Sequence, residues 1–151
     1  MSEKELIIRL LVAALFGALV GLERELQGHP AGLRTHLLVC LGSALILVTN
    51  IKLFEQYNNQ TTMDVTRMGA QVVSGIGFLG AGTIIRASDR IRGLTTAATL
   101  WSVAAIGLAV GSGLYLAGGV TTVIVVVALT LFRPMVDKIA AQRNKNSDDH
   151  L

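Results

Sequence analysis

Seven charged residues have the types and spacing to do chemistry: Glu23, Arg24, Glu25 and Arg34 in one stretch, and Arg86, Arg90 and Arg92 in another. Such groups can fix loops by pairing Glu23 and Glu25 with Arg34 and Arg92. Beside the free N–H groups of a helix start they can instead hold a phosphate, a lipid headgroup or an acidic partner surface. His36 and Cys40, four apart, would share one helix face as two soft metal ligands do. No further cysteine or inward carboxylate completes such a set, so no metal is assigned. Ser74 has no histidine within reach, because His29 and His36 lie in and beside the first loop and His150 lies in the tail. Gly75, Gly77 and Gly80 match G-x-G-x-x-G, but that fingerprint needs a preceding strand and an acidic residue about 20 positions on. The stretch from Thr95 to Gly111 contains neither Asp nor Glu. No enzyme activity and no cofactor are expected.

Composition places these groups at a membrane. Apolar residues make up 52% of the 151, charged ones 15%, and the mean hydropathy is +0.59, whereas soluble domains average about 25% charged. The single Cys40 excludes an internal disulfide. A net charge of +3 could indicate nucleic acid, but the basic residues lie between apolar runs rather than in a patch. They read as topology signals and lipid-headgroup contacts, and no nucleic-acid partner is expected.

The run that organises the chain is QVVSGIGFLGAGTIIR, from Gln71 to Arg86. Gly75, Gly77, Gly80 and Gly82 remove four side chains within eight residues, and Ala70, Ser74, Gly77 and Ala81 recur at helical spacing as a groove of small residues. The composition predicts a central helix buried in protein. Around it lie apolar runs over Leu6–Leu22, Leu33–Ile51, Leu94–Val110 and Leu114–Phe132, with the glycine run itself spanning Met68–Ile85. Gly17/Gly21 and Gly107/Gly111 form two GxxxG pairs, each predicting a close-packing face. Arg9, near the start of the first run, is expected to snorkel to the interface. That run passes into Glu23–Arg24–Glu25 without a cleavage site, so it reads as an uncleaved helix rather than a signal peptide. A polar loop covers residues 52–67.

The expected fold is all-α: a polytopic integral membrane protein with five transmembrane helices over residues 1–133 and a short polar cytoplasmic tail over 134–151. With the amino terminus out and the carboxyl terminus in, nine Lys and Arg face the cytoplasm and four the other side, of thirteen in all. A re-entrant glycine run, leaving four full crossings, is the alternative. Gln71, Ser74, Thr95, Thr96, Thr99 and Ser102 are placed to hydrogen-bond between helices or to line a polar path. Trp101, in the middle of its run, is expected to pack on small residues. Every Asp and Glu reads as lying in a loop or terminus, so ion-coupled transport has no evident carrier.

Three blocks, GLERELQGHPAGLRTHLLVCLGSAL, QVVSGIGFLGAGTIIR and RGLTTAATLWSVAAIGLAVGSG, resemble the signature blocks of the MgtC/SapB family of bacterial inner-membrane proteins. The resemblance carries over Glu23, Arg24, Glu25, Pro30, Gly32, Arg34 and Thr35 from the first block. From the second it carries Gln71, Ser74, Gly75, Gly77, Gly80 and Gly82, and from the third Arg92, Gly93, Thr95, Thr96 and Trp101. It implies a five-helix domain of the bacterial inner membrane. It also implies a role in magnesium limitation, acid tolerance and survival in host cells, exercised by binding membrane ATPases rather than by carrying magnesium. MgtC-type members continue into a soluble domain, so this chain is closer to the short, membrane-only form. Association is the expected mode of action, with homo-oligomers through the GxxxG faces as a further expectation. A small-ion or solute path between the third and fourth helices is the rival.

Overall fold

The computed structural model describes residues 1–57, 64, 66–87 and 90–132, without the side chains of Ala87 and Arg90. The chain runs α1 (Glu3–Leu26), α2 (Leu33–Tyr57), α3 (Thr66–Thr83), β1 (Ile85–Ala87), β2 (Arg90–Arg92), α4 (Leu94–Gly111) and α5 (Tyr115–Leu131). The five helices stand where the apolar runs predict them. Of these, α1, α2 and α4 are long and apolar enough to cross a membrane, and α5 is a shorter apolar helix. The expected tail and the close of the last run at Arg133 lie outside the described residues, as do residues 58–63 and 65 of the 52–67 loop. The part of that loop up to Tyr57 continues α2.

Local chemistry sets the boundaries. Ser2 caps α1, its hydroxyl accepting from the Glu5 N–H at 3.2 Å. Asp64 caps α3 by accepting from the Thr66 N–H at 2.8 Å and the Thr66 hydroxyl at 2.7 Å, which holds its carboxyl below the usual range. Between α3 and α4 an antiparallel hairpin pairs Ile85 with Arg92, Arg86 with Ile91 and Ala87 with Arg90. This short sheet departs from the all-α expectation and ends the glycine helix at Thr83 rather than Ile85. Gly93 closes the hairpin at φ +90°, where L side chains rarely go, and a Cβ there would run into the Thr83 carbonyl.

The helices alternate in direction. Arg24 and His36 reach Thr96 and Thr99, which gathers the end of α1 and the starts of α2 and α4 at one end of the bundle. At the other end the Met1 ammonium pairs with Glu55 at 2.8 Å, Lys52 with Glu3 at 3.0 Å, and Arg9 with Glu5. Arg9 also donates to the Gly111 carbonyl at 2.7 Å, satisfying the last turn of α4. It is thereby fixed to the end of α4, near the start of α1.

The interior is built from small residues and the exterior from large ones, the inverse of a soluble domain. Ala13, Cys40, Ala44, Val103 and Val110 are fully buried. Ile7, Leu11, Leu15, Leu19 and Leu22 of α1, and Leu116, Val120, Val123 and Val127 of α5, are exposed. A Cβ on Gly17 would sit 2.6 Å from the Cys40 Cβ, and one on Gly111 2.8 Å from the Ala44 carbonyl. Both GxxxG pairs thus bring α1 and α4 against the backbone of α2, as their spacing predicts.

The glycine helix is not the buried centre; α4 is, touching all four other helices. In α3 only Ile76 and Gly80 are buried. An added Cβ at Gly75, Gly77 or Gly82 would meet nothing within 4 Å, whereas Gly80 faces Ala97 at an ordinary 3.5 Å. Ala70, Ser74, Gly77 and Ala81 are all exposed. On a helical wheel they centre roughly 110° from the buried Ile76 and Gly80, so the small-residue groove lies on an exposed flank of α3.

Candidate functional site

Two features gather the predicted residues: a buried polar cluster where α1, α2 and α4 meet, and the outward face of α3.

The cluster exists because α1 remains helical for four residues beyond Leu22, carrying Glu23 and Arg24 into the contact with α2 and α4. Glu23 is 8% exposed and Arg24 3%. Their charged groups stand 4.0 Å apart. Arg24 Nη2 donates to the Thr96 hydroxyl over a long 3.4 Å. Among the described residues neither Glu23 oxygen has a hydrogen-bond partner, and Arg24 Nε has none either. The expectation that every acidic residue lies in a loop or terminus is corrected here: Glu23 is a helical, buried carboxylate. An ionisable pair buried in protein with unused bonding capacity is costly to keep.

His36, fully buried, ties the start of α2 to α4. Its Nδ1–H donates to the Gly32 carbonyl at 2.9 Å, which leaves Nε2 to accept from the Thr99 hydroxyl at 3.1 Å. The Thr99 hydroxyl also lies 2.9 Å from the Thr96 carbonyl, so its single hydrogen is shared between the two acceptors. Both His36 ring nitrogens are thus engaged with protein. Cys40, one turn on, is buried against Gly17. The sequence offered His36 as half of a metal pair and Thr99 as one of several hydroxyls. Their role as interhelical ties shows only once α2 and α4 are side by side.

The pairing of Glu23 and Glu25 with Arg34 and Arg92 does not occur among the described residues. Glu25 Oε2 accepts from the Leu33 N–H at 2.9 Å, capping α2 from across the loop. The fit requires Gly32, where a Cβ would overlap the Glu25 carboxylate. Replacing Glu25 with Ala should therefore destabilise the chain by about 1 kcal/mol, as loss of a helix cap does. Glu25→Gln should retain most of that, and thermal unfolding in detergent reads the difference. Arg34, Thr35, Arg92 and Thr95 are exposed, and Thr96 is buried.

The α3 face collects the rest. Gln71, Ser74, Gly75, Gly77 and Gly82 are exposed, with Phe78 beside them at 83%. A groove of about 660 Å³ runs between α2 and α3, lined by Val39, Gly42, Ile46, Gln71, Gly75 and Leu79 among others. Trp101 is 50% exposed, so it only partly packs as expected. Of the interhelical bonds expected from hydroxyls, Thr96 and Thr99 make them. Ser102 turns back onto its own helix at the Ala98 carbonyl.

Comparison with known proteins agrees with the three blocks. The model of the MgtC family matches residues 10–138. The Escherichia coli (strain K12) protein named "Putative magnesium transporter YhiD" is 41% identical over 144 residues, covering 94% of this chain and 66% of its own length. Protein SapB of Bacillus subtilis (strain 168) is 35% identical over 150 residues, 97% of this chain and 64% of its own. Protein MgtC of Brucella abortus (strain 2308) is 42% identical over 132 residues, 86% of this chain and 52% of its own. The chain thus spans between 52% and 66% of the length of these relatives. No solved structure matches it. With the family model covering most of its length, the chain belongs to the MgtC family.

Proposed function

We propose that this chain is a non-enzymatic, multi-pass protein of the bacterial inner membrane that modulates other membrane proteins by association. It crosses the bilayer five times, amino terminus out and carboxyl terminus in. Its context is magnesium limitation, acid or host-associated stress, and a membrane ATPase is the class of partner. The observation that carries this is the outward groove of α3. Ala70, Ser74, Gly77 and Ala81 expose backbone on one flank of α3, where a neighbouring helix can approach closely. The orientation is supported by the sequence count of cations, nine of the thirteen Lys and Arg on the cytoplasmic side under this topology against Lys4, Arg9, Lys52 and Arg67 on the other.

Gly77→Leu tests it, because the added side chain meets nothing within 4 Å in the chain itself. The variant should fold normally in detergent yet lose its higher-order species or co-purifying partner in crosslinked membranes. An unaltered complex would remove the α3 groove from the mechanism.

The rival is passage of a small ion or solute. Two observations favour it: the buried Glu23–Arg24–His36 cluster, and the magnesium transport in the name of the Escherichia coli relative. A path between α3 and α4 would have to open their contact at Gly80 and Ala97. Flux of magnesium into proteoliposomes holding only the purified chain would favour the rival. Absence of flux alongside Gly77-dependent association is the expected result.

A further inference from the structure

We propose that the β1–β2 hairpin is a docking element for anionic phospholipid at the surface of one leaflet. This goes beyond the α3 groove and does not depend on it. The hairpin joins the end of α3 to the start of α4, at the bundle end where α1 meets α2, and its register mixes two chemistries on each face. Directly opposed residues of an antiparallel pair share a face, so Ile85 lies with Arg92 and Arg86 with Ile91. Ile85 is 63% exposed and Ile91 58%, with Ile84 and Leu94 exposed at the base. Arg86 and Arg92 are exposed and form no ion pair among the described residues. A surface that pairs isoleucine with arginine on both faces complements a phospholipid, whose acyl chains take the apolar part and whose phosphate takes the guanidinium.

The opposite end of the molecule supplies the contrast. There three cations are matched within the chain, Lys52 with Glu3, Arg9 with Glu5 and the Met1 ammonium with Glu55, while Lys4 and Arg67 form no ion pair among the described residues. Of the described carboxylates at the hairpin end, Glu25 caps α2 and Glu23 is buried beside Arg24. Arg86 and Arg92 are thus left without a carboxylate partner among the described residues, next to exposed isoleucines. The hairpin is also held in place, because Gly93 fits under the Thr83 carbonyl and the Thr83 hydroxyl donates to the Gly80 carbonyl at 2.8 Å.

The test uses the full chain in detergent micelles with phosphatidylglycerol or phosphatidylcholine of identical acyl chains, retention being read by native mass spectrometry. The wild type should retain phosphatidylglycerol in preference. Arg86→Gln with Arg92→Gln should weaken that retention about fivefold per arginine, roughly thirty-fold for the pair, and leave phosphatidylcholine unchanged. Lys52→Gln with Arg67→Gln, at the other end, should have no effect, and inorganic phosphate should not displace the lipid. Unchanged phosphatidylglycerol retention in the hairpin variant would overturn the proposal. So would equal loss in the Lys52/Arg67 variant, or displacement by phosphate, which would reveal a small-anion site instead. Both variants change exposed side chains, and an unaltered elution volume checks that they fold.

Discussion

Gly107→Leu strongly destabilises the folded chain, whereas Gly77→Leu and Gly75→Ala leave it nearly unchanged. At Gly107 a Cβ would lie 2.9 Å from the Ser43 Cβ, 3.0 Å from the Cys40 carbonyl carbon and closer still to its oxygen. The Cys40 atoms are backbone of α2 and the Ser43 Cβ is fixed to it, so none can rotate aside and α2 and α4 must separate along the centre of the bundle. Overpacking a well-fitted core typically costs about 1–3 kcal/mol. A leucine pressed against backbone exceeds about 3 kcal/mol, a large part of the about 5–15 kcal/mol that holds most domains. Gly75 and Gly77 have open space around an added Cβ, and changes there stay within about 0.5 kcal/mol. Trp101, the only tryptophan, reports unfolding by its fluorescence as the detergent-solubilised variants are heated. Equal stability of Gly107→Leu and Gly77→Leu would mean that α4 does not pack on α2 as described.

Arg24→Met costs about 3–5 kcal/mol, and much of that loss is recovered when Glu23→Gln is added. Removing the guanidinium leaves the 8% exposed Glu23 carboxylate with no counter-charge and no hydrogen bond among the described residues, the costly way to break a buried pair. Replacing both partners removes the charge that needs compensation, so the double variant should be more stable than Arg24→Met alone. Unfolding midpoints for the two single variants and the double one give the coupling energy. Strict additivity would show that Glu23 and Arg24 do not depend on each other.

What the sequence makes legible, and what it does not, follows from the solvent. The positions of the helices are legible because runs of apolar residues must satisfy their backbone internally in lipid. Gly17, Gly21, Gly107 and Gly111 are legible as contacts because GxxxG spacing opens one helix face to another. The direction faced by α3 is not. Lipid is as apolar as a membrane-protein core, so a groove such as Ala70–Ser74–Gly77–Ala81 has the same composition whether it points inward or outward. Burial of Glu23 is hidden by its place just past Leu22, where hydropathy ends but the helix continues. The hairpin's three-residue strands are too short for any alternation to stand out. Glu25 looks like a salt-bridge partner until the fold brings the Leu33 N–H within 2.9 Å of it.

Disulfide crosslinking along α3 in native membranes, in a Cys40→Ala background, measures which way that helix faces. Cysteines at Ala70, Ser74, Gly77 and Ala81 should trap the chain in larger covalent species, while cysteines at Ile76 and Gly80 should not. Crosslinks confined to positions 76 and 80, or none from the four outward positions, would contradict a bundle that turns its bare backbone toward a neighbour.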